Sequence, residues 1–159
     1  MRVIGIDPGY DRLGVAILEK VAGKEQVIFS ICIQSDRALP LPNRLFSVGH
    51  ELNSVFTRFS PDTLAIETLF FNKNVKTALG VAQARGMVLY LAQFHNCSVH
   101  EYGPQEVKVA VTGYGKSDKQ AVIAMVKRLA THVPEAAHDD EYDAIAVGLT
   151  CLAHIGSAR

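Results

Sequence analysis

The sequence predicts an α/β fold, a mixed five-stranded sheet with helices on both faces. Three observations predict it. Short β-branched runs recur at 3–7, 13–18, 26–33, 63–67 and 98–102; the first three are joined by brief connections; and longer stretches of helical spacing separate or follow the others.

The run at 3–7 reads as a buried strand stopped by Pro8-Gly9, a turn pair. With the runs at 13–18 and 26–33 it predicts an antiparallel meander, because the links are too short for a crossover. Pro40 and Pro42 mark a loop, after which Leu45, Phe46, Val48, Leu52, Val55 and Phe56 give a helix over 43–59. The strand at 63–67 leads to a long helix over 74–94 and then to the strand at 98–102. Pro104 opens a short helix to 111. Ser117, with Gln120 three residues on, predicts a capping box for a helix carrying Val122, Met125, Val126 and Leu129. A last helix begins near Asp140, and its stretch 144–149 is apolar on nearly every side, hence buried. No repeat, low-complexity tract or linker interrupts the chain, which predicts a single domain over 1–159.

Composition narrows the class. With 48% apolar and 20% charged residues in 159, the chain is an ordinary globular one, long enough to bury a core without staples. Cys32, Cys97 and Cys151 stand singly with no Cys-x-x-Cys pair, so neither a disulfide framework nor a zinc site is indicated. No apolar run approaches a membrane span. The N-terminus has no signal-peptide layout, so a cytoplasmic location is expected. The net charge is zero, yet unevenly spread. From Lys73 to Arg128 eight basic residues face three acidic ones, whereas Glu135, Asp139, Asp140, Glu141 and Asp143 face only Arg159. A basic half and an acidic knot fit different tasks; a solvated surface of mixed charge would look the same.

The chemistry is expected among the acids. Asp7 and Glu67 each end an apolar strand, and in an open α/β sheet ligands gather at strand carboxyl ends. If those strands are parallel neighbours, their ends lie about 5 Å apart. Asp140 and Asp143, three residues apart at a helix start, share one face. Two carboxylates at about 5 Å repel by roughly 3 kcal/mol at an effective dielectric near 20. Four therefore need protons or cations between them. All-oxygen ligation suits Mg²⁺ or Mn²⁺, and such a site can hold two ions clamping the attacking and leaving oxygens of a phosphodiester. Each acid has a plainer use: Asp7 as a turn former before Pro-Gly, Asp140 as a helix cap. Glu67 is harder to place so, since glutamate is poor in strands. Asp143 has no lysine or arginine within one helical turn.

Several blocks, in order, resemble the RuvC family of Holliday-junction resolvases. They are Gly5-Ile6-Asp7-Pro8-Gly9 with Leu13-Gly14-Val15-Ala16, Ala65-Ile66-Glu67 with Phe70 and Asn74, and Gln83-Ala84-Arg85-Gly86. Tyr102-Gly103-Pro104-Gln105-Glu106-Val107-Lys108, the stretch Gly113-Tyr114-Gly115-Lys116-Ser117-Asp118-Lys119, and Asp140-Glu141-Tyr142-Asp143-Ala144-Ile145-Ala146 complete the series. The resemblance implies a ribonuclease-H-like fold, a homodimer, and paired symmetric nicks across four-way DNA junctions in recombination and repair. On matching positions it implies that Asp7, Glu67, Asp140 and Asp143 are catalytic and bind two Mg²⁺ ions, Mn²⁺ substituting. His138 and Asp139 crowd that motif and stand as alternative ligands. Lys108 and Lys119 would contact the DNA backbone near the scissile bond. Phe70, with Phe71 beside it, would enter the crossover, where bases can stack on exposed rings; Phe71 could equally tuck into the core. Branch-migration motor proteins are the implied partners.

Rival readings are weaker. Residues 110–117 nearly spell a phosphate-binding loop, but Ala110 replaces its first glycine and a helix is expected before it. The actin-like ATPases share Gly-Ile-Asp-x-Gly but need a second copy of the domain. A ribonuclease-H-like RNA-processing nuclease and a junction-binding protein without catalysis remain as alternatives.

Overall fold

The computed structural model describes residues 1–69 and 75–157. Strands β1 (Arg2–Asp7), β2 (Arg12–Val21) and β3 (Lys24–Gln34) form the meander. Helix α1 (Leu41–Phe59) precedes β4 (Thr63–Glu67), and α2 (Val75–Phe94) precedes β5 (Ser98–Tyr102). Then come α3 (Pro104–Thr112), α4 (Lys119–Leu129), β6 (Ala130–Thr131) and α5 (Asp139–Ser157). The sheet order is β5-β4-β1-β2-β3-β6, with β1 antiparallel to β2 and parallel to β4. Among the described residues the sheet has six strands rather than the expected five. The extra one, β6, pairs through two residues only, Ala130 with Glu25 and Thr131 with Gln26, too short to leave a periodic signal.

Strand alternation sorts the side chains into two cores. On one face Ile4, Ile6, Leu13, Val15, Ile17, Leu64 and Ile66 pack under α1 and α2, against Val48, Leu52, Phe56 and Val88. On the other, Val3, Ala16, Leu18 and Ala65 pack under α5 with Ile145, Val147 and Leu152, and α3 and α4 close the rim through Val107, Val111, Val122 and Val126. The second face is paved with small residues. A methyl group on Gly5 would overlap the Ala144 carbonyl and lie 2.9 Å from the Gly148 nitrogen, and one on Gly14 would overlap the Asp140 carbonyl. One on Gly148 would overlap Leu18. Helix α5 therefore rests almost backbone to backbone on β1 and β2.

Local departures from expectation have local causes. Helix α1 takes in Leu41 and Pro42, because a proline in the first turn removes only an N–H that has no helical partner. The cap of α4 is Asp118 rather than Ser117: its carboxylate accepts from the Ala121 N–H at 2.8 Å. Ser117 is spent on closing the preceding loop, donating to the Tyr114 carbonyl at 2.8 Å and lying 2.7 Å from the Thr112 hydroxyl. A helix, α3, does precede the phosphate-loop look-alike. The three cysteines are free and buried. No helix among the described residues is long and apolar enough to cross a membrane.

The seating of α5 is directly testable. Gly5→Ala forces the helix off β1, and overpacking of this kind costs about 1–3 kcal/mol. Urea unfolding should show that loss; an unchanged midpoint would mean that α5 does not rest on Gly5.

Candidate active site

Parity along the strands aims the acids. Val3, Gly5 and Asp7 share the α5 face of β1, as Thr63, Ala65 and Glu67 share that of β4. Parallel pairing aligns Ile6 with Ile66, so the next residues, Asp7 and Glu67, end their strands side by side. Asp7 also pairs with Gly14 across the antiparallel ladder, and the missing side chain there admits the first turn of α5. That turn carries Asp139, Asp140 and Glu141 at the positive end of the helix dipole, where negative charge is favoured.

Other contacts hold the turn in place. Glu141 accepts from the Ser30 hydroxyl at 2.6 Å and from the His138 backbone N–H at 3.2 Å, tying the helix start to β3. The Tyr142 hydroxyl, 2.9 Å from the Pro134 carbonyl and 3.1 Å from that of Glu135, pins the incoming segment. Asp140 is thus a first-turn residue, not the cap.

Electrostatics shows that the acids meet. Asp7 is pushed up to about 8, first by burial and then by the charges of Asp143, Glu67 and Asp140, with Lys119 pulling the other way. Glu67 is pushed up to about 7 by burial and then by Asp143, against Lys108. Burial also raises Asp143, as do Asp140 and Asp139, and Lys119 only partly offsets them. Asp140 stands at the rim, 3.3 Å from the Arg12 guanidinium, and accepts from the Cys32 thiol at 3.8 Å. The thiol itself is raised to about 11, by burial and then by Asp140.

A cleft of about 230 Å³ opens beside the acids, lined by Glu67, Asp143, Lys108 and Lys119. A second recess holds Asp7 and Glu67 with Pro8 and Pro104. Lys119 has carboxylate partners that its sequence neighbours do not reveal. Its ammonium lies 3.1 Å from Asp143 and 3.3 Å from Asp139, acting as a counter-ion within the acid cluster. Burial opposes the charge on Lys119, but the bond to Asp143 and the neighbouring carboxylates outweigh it and hold its pKa above the ordinary value. Asp143 finds a basic partner after all, one supplied by another helix.

The structure therefore brings Glu67, Asp143, Lys108 and Lys119 to one cleft, Asp7 to an adjoining recess that shares Glu67, and Asp140 close enough for its charge to raise Asp7 and Asp143. Phe70 and Phe71 lie outside the described residues. Sequence reading missed Arg12, whose role as partner of Asp140 has no local signal, and Cys32, which reads as core filler. Three buried or half-buried carboxylates with raised pKa values form a donor set in need of cations. Their oxygens suit a hard divalent ion such as Mg²⁺ or Mn²⁺.

The raised pKa values also fix a sign. Asp7 has an ordinary value of 3.8 and a folded value of about 8. Its cost to stability is absent below the lower value, grows as pH rises, and is complete above the upper one. Without divalent metal, Asp7→Asn should raise the melting midpoint more at about pH 8.5 than at about pH 5. Each kcal/mol relieved moves the midpoint about 2–4 °C in a chain of this size. A variant that melts lower than the wild type at both pH values would contradict the stored repulsion.

Comparison with known proteins agrees with this geometry. Residues 3–151 match the family profile of the Crossover junction endodeoxyribonuclease RuvC. The Alkaliphilus oremlandii protein of that name is 43% identical over 159 residues, covering 99% of this chain and 95% of its relative. That of Thermotoga petrophila is 40% identical over 147 residues, covering 92% and 89%. Among solved structures, T. thermophilus RuvC in complex with Holliday junction substrate superposes with a TM-score of 0.89 at 31% identity, covering 99% of this chain and 97% of that one. The fold is accordingly ribonuclease-H-like, and the chain belongs to the RuvC family of crossover junction endodeoxyribonucleases.

Proposed function

We propose that this protein resolves four-way DNA junctions by paired, symmetric, metal-dependent nicks, with the whole chain acting as one nuclease domain. One observation carries the reading: Asp7, Glu67 and Asp143 have raised pKa values, and Glu67 joins the recess of Asp7 to the cleft that Asp143 shares with two lysines. Asp7, Glu67, Asp140 and Asp143 would hold the metal, two Mg²⁺ ions or Mn²⁺ in their place. When bound, such ions neutralise charge on the scissile phosphate and its leaving oxygen.

The chain's own groups do the rest. Asp7 and Glu67 release protons as the cations enter, so affinity for metal rises with pH through about 7 to 8. Lys119 leaves Asp143 and Asp139 to meet a phosphate oxygen, and Lys108 approaches from the α3 side of the same cleft. Neither lysine needs to move a proton; each serves as a point charge that positions the strand. Phe70 and Phe71, three and four residues after Glu67 in the sequence, would enter the crossover, as the family resemblance implies.

Two-fold symmetric nicking calls for a two-fold protein. The helices opposite α5 expose apolar side chains suited to an isologous contact: Leu79, Tyr90 and Phe94 of α2, at 60–66% exposure, and Phe46 of α1 at 76%. These side chains lie on one stripe of α2, three turns and then one turn apart. A homodimer, a cytoplasmic location and branch-migration motor partners complete the reading.

The deciding experiment is nicking of a labelled synthetic four-way junction and a matched linear duplex, with Mg²⁺, Mn²⁺ or EDTA. Symmetric nicks on the junction alone are expected, lost in EDTA and reduced at least about 100-fold in Asp7→Asn. Lys119→Ala should weaken binding and lessen its salt dependence. Tight binding without nicking would point instead to a binding module, and indifference to the junction to RNA substrates. Sedimentation should give a dimer mass; a monomer mass independent of concentration would remove the paired-nick geometry.

A further inference from the structure

We propose that Cys32, His138 and Asp140 form a second metal site, for a borderline-soft divalent cation of the zinc class, at the rim of the acid cluster. These three residues offer one sulfur, one imidazole nitrogen and one carboxylate oxygen, all within 4.8 Å of one another. Cys32 is more than a hundred residues from the other two in sequence, which is why cysteine spacing gives no sign of a zinc site. Cys32 lies on β3 directly across from Gly14, so its side chain shares the α5 face and meets Asp140 with no bulk between them. Sulfur and oxygen are already 3.8 Å apart. Neighbouring ligands of a tetrahedral zinc ion stand roughly 3.5 Å apart, so closure asks for small side-chain rotations.

The donor chemistry separates this site from the four-acid centre. Mg²⁺ and Mn²⁺ take oxygen, whereas a thiolate, an imidazole and one carboxylate select zinc or cobalt and leave a fourth position open. Cys32 is buried and His138 exposed, so an ion can enter from the imidazole side. Arg12, the rival for Asp140, is 53% exposed and free to swing into solvent.

Binding is ligation without redox change. The Cys32 S–H bond breaks, its proton leaves to solvent, and the sulfur electron pair joins the metal. Asp140 and His138 each contribute a lone pair. The occupied site holds Asp140 away from the four-acid centre, so zinc should compete with Mg²⁺-dependent nicking. Only this competition rests on the nuclease reading.

Titration of the full chain with Co²⁺ tests the site without any nuclease assay. Wild type should develop a thiolate-to-cobalt absorption in the near ultraviolet and tetrahedral bands in the visible. Cys32→Ser should lose the former although Cys97 and Cys151 remain, and His138→Gln should bind Co²⁺ at least about tenfold more weakly. No thiolate band in the wild type, or an undiminished band in Cys32→Ser, overturns the site. In the nicking assay, with each protein compared with its own zinc-free rate, Cys32→Ser should need at least about tenfold more Zn²⁺ than wild type for half-inhibition. Equal inhibition of both proteins overturns the competition for Asp140. Absence of nicking from both counts against the nuclease reading, and the cobalt spectrum then decides the metal site alone.

Discussion

The close approach of α5 to the sheet is the constraint on which the molecule depends. Helices usually ride on a sheet through a layer of side chains about one residue thick. Here Gly5 and Gly14 remove that layer on the sheet side and Gly148 removes it on the helix side. The helix start drops to the level of the strand ends, and its short aspartates reach the ends of β1 and β4. A larger residue at Gly14 would displace the turn bearing Asp140 before it disturbed any core packing. Small residues in this family of positions are as much part of the site as the acids.

That proximity has an electrostatic cost. Burial and mutual repulsion raise Asp7, Glu67 and Asp143, and the fold offsets them with the α5 dipole and with Lys119 and Lys108. Lys119 is a weak substitute for a divalent ion: one charge, on a flexible stem, shared between Asp139 and Asp143. An arrangement that gives up stability so as to concentrate negative charge is the usual signature of a site built for cations.

Much of this was legible from the chain alone, for definite reasons. The meander and the buried last helix follow from short links and from periods of two and 3.6 sustained over five or more residues, whereas the parallel pairing of β1 with β4 entered only as a condition, which the sheet meets. Glu67 was legible because glutamate is poor in strands, whereas Asp7 before Pro-Gly reads equally well as a turn former and stood out only together with the other acids. What escaped depended on distance rather than order. Two residues of β6 carry no period. Ser117 and Asp118 are both good caps, and only the loop contacts of Ser117 choose between them. Arg12, Cys32 and the pairing of Lys119 with Asp143 arise from packing across the sheet, which no local window contains.

The acids of the site are drawn from opposite ends of the sequence. Asp7 is in the first strand and Asp140 and Asp143 in the last helix, with every other element between them. During synthesis a growing chain therefore carries two of the four acids early and gains the others only with its final helix. The sheet can assemble beforehand while its small-residue face stands open. The proposed metal centre is then complete in one step, when that helix docks on the sheet.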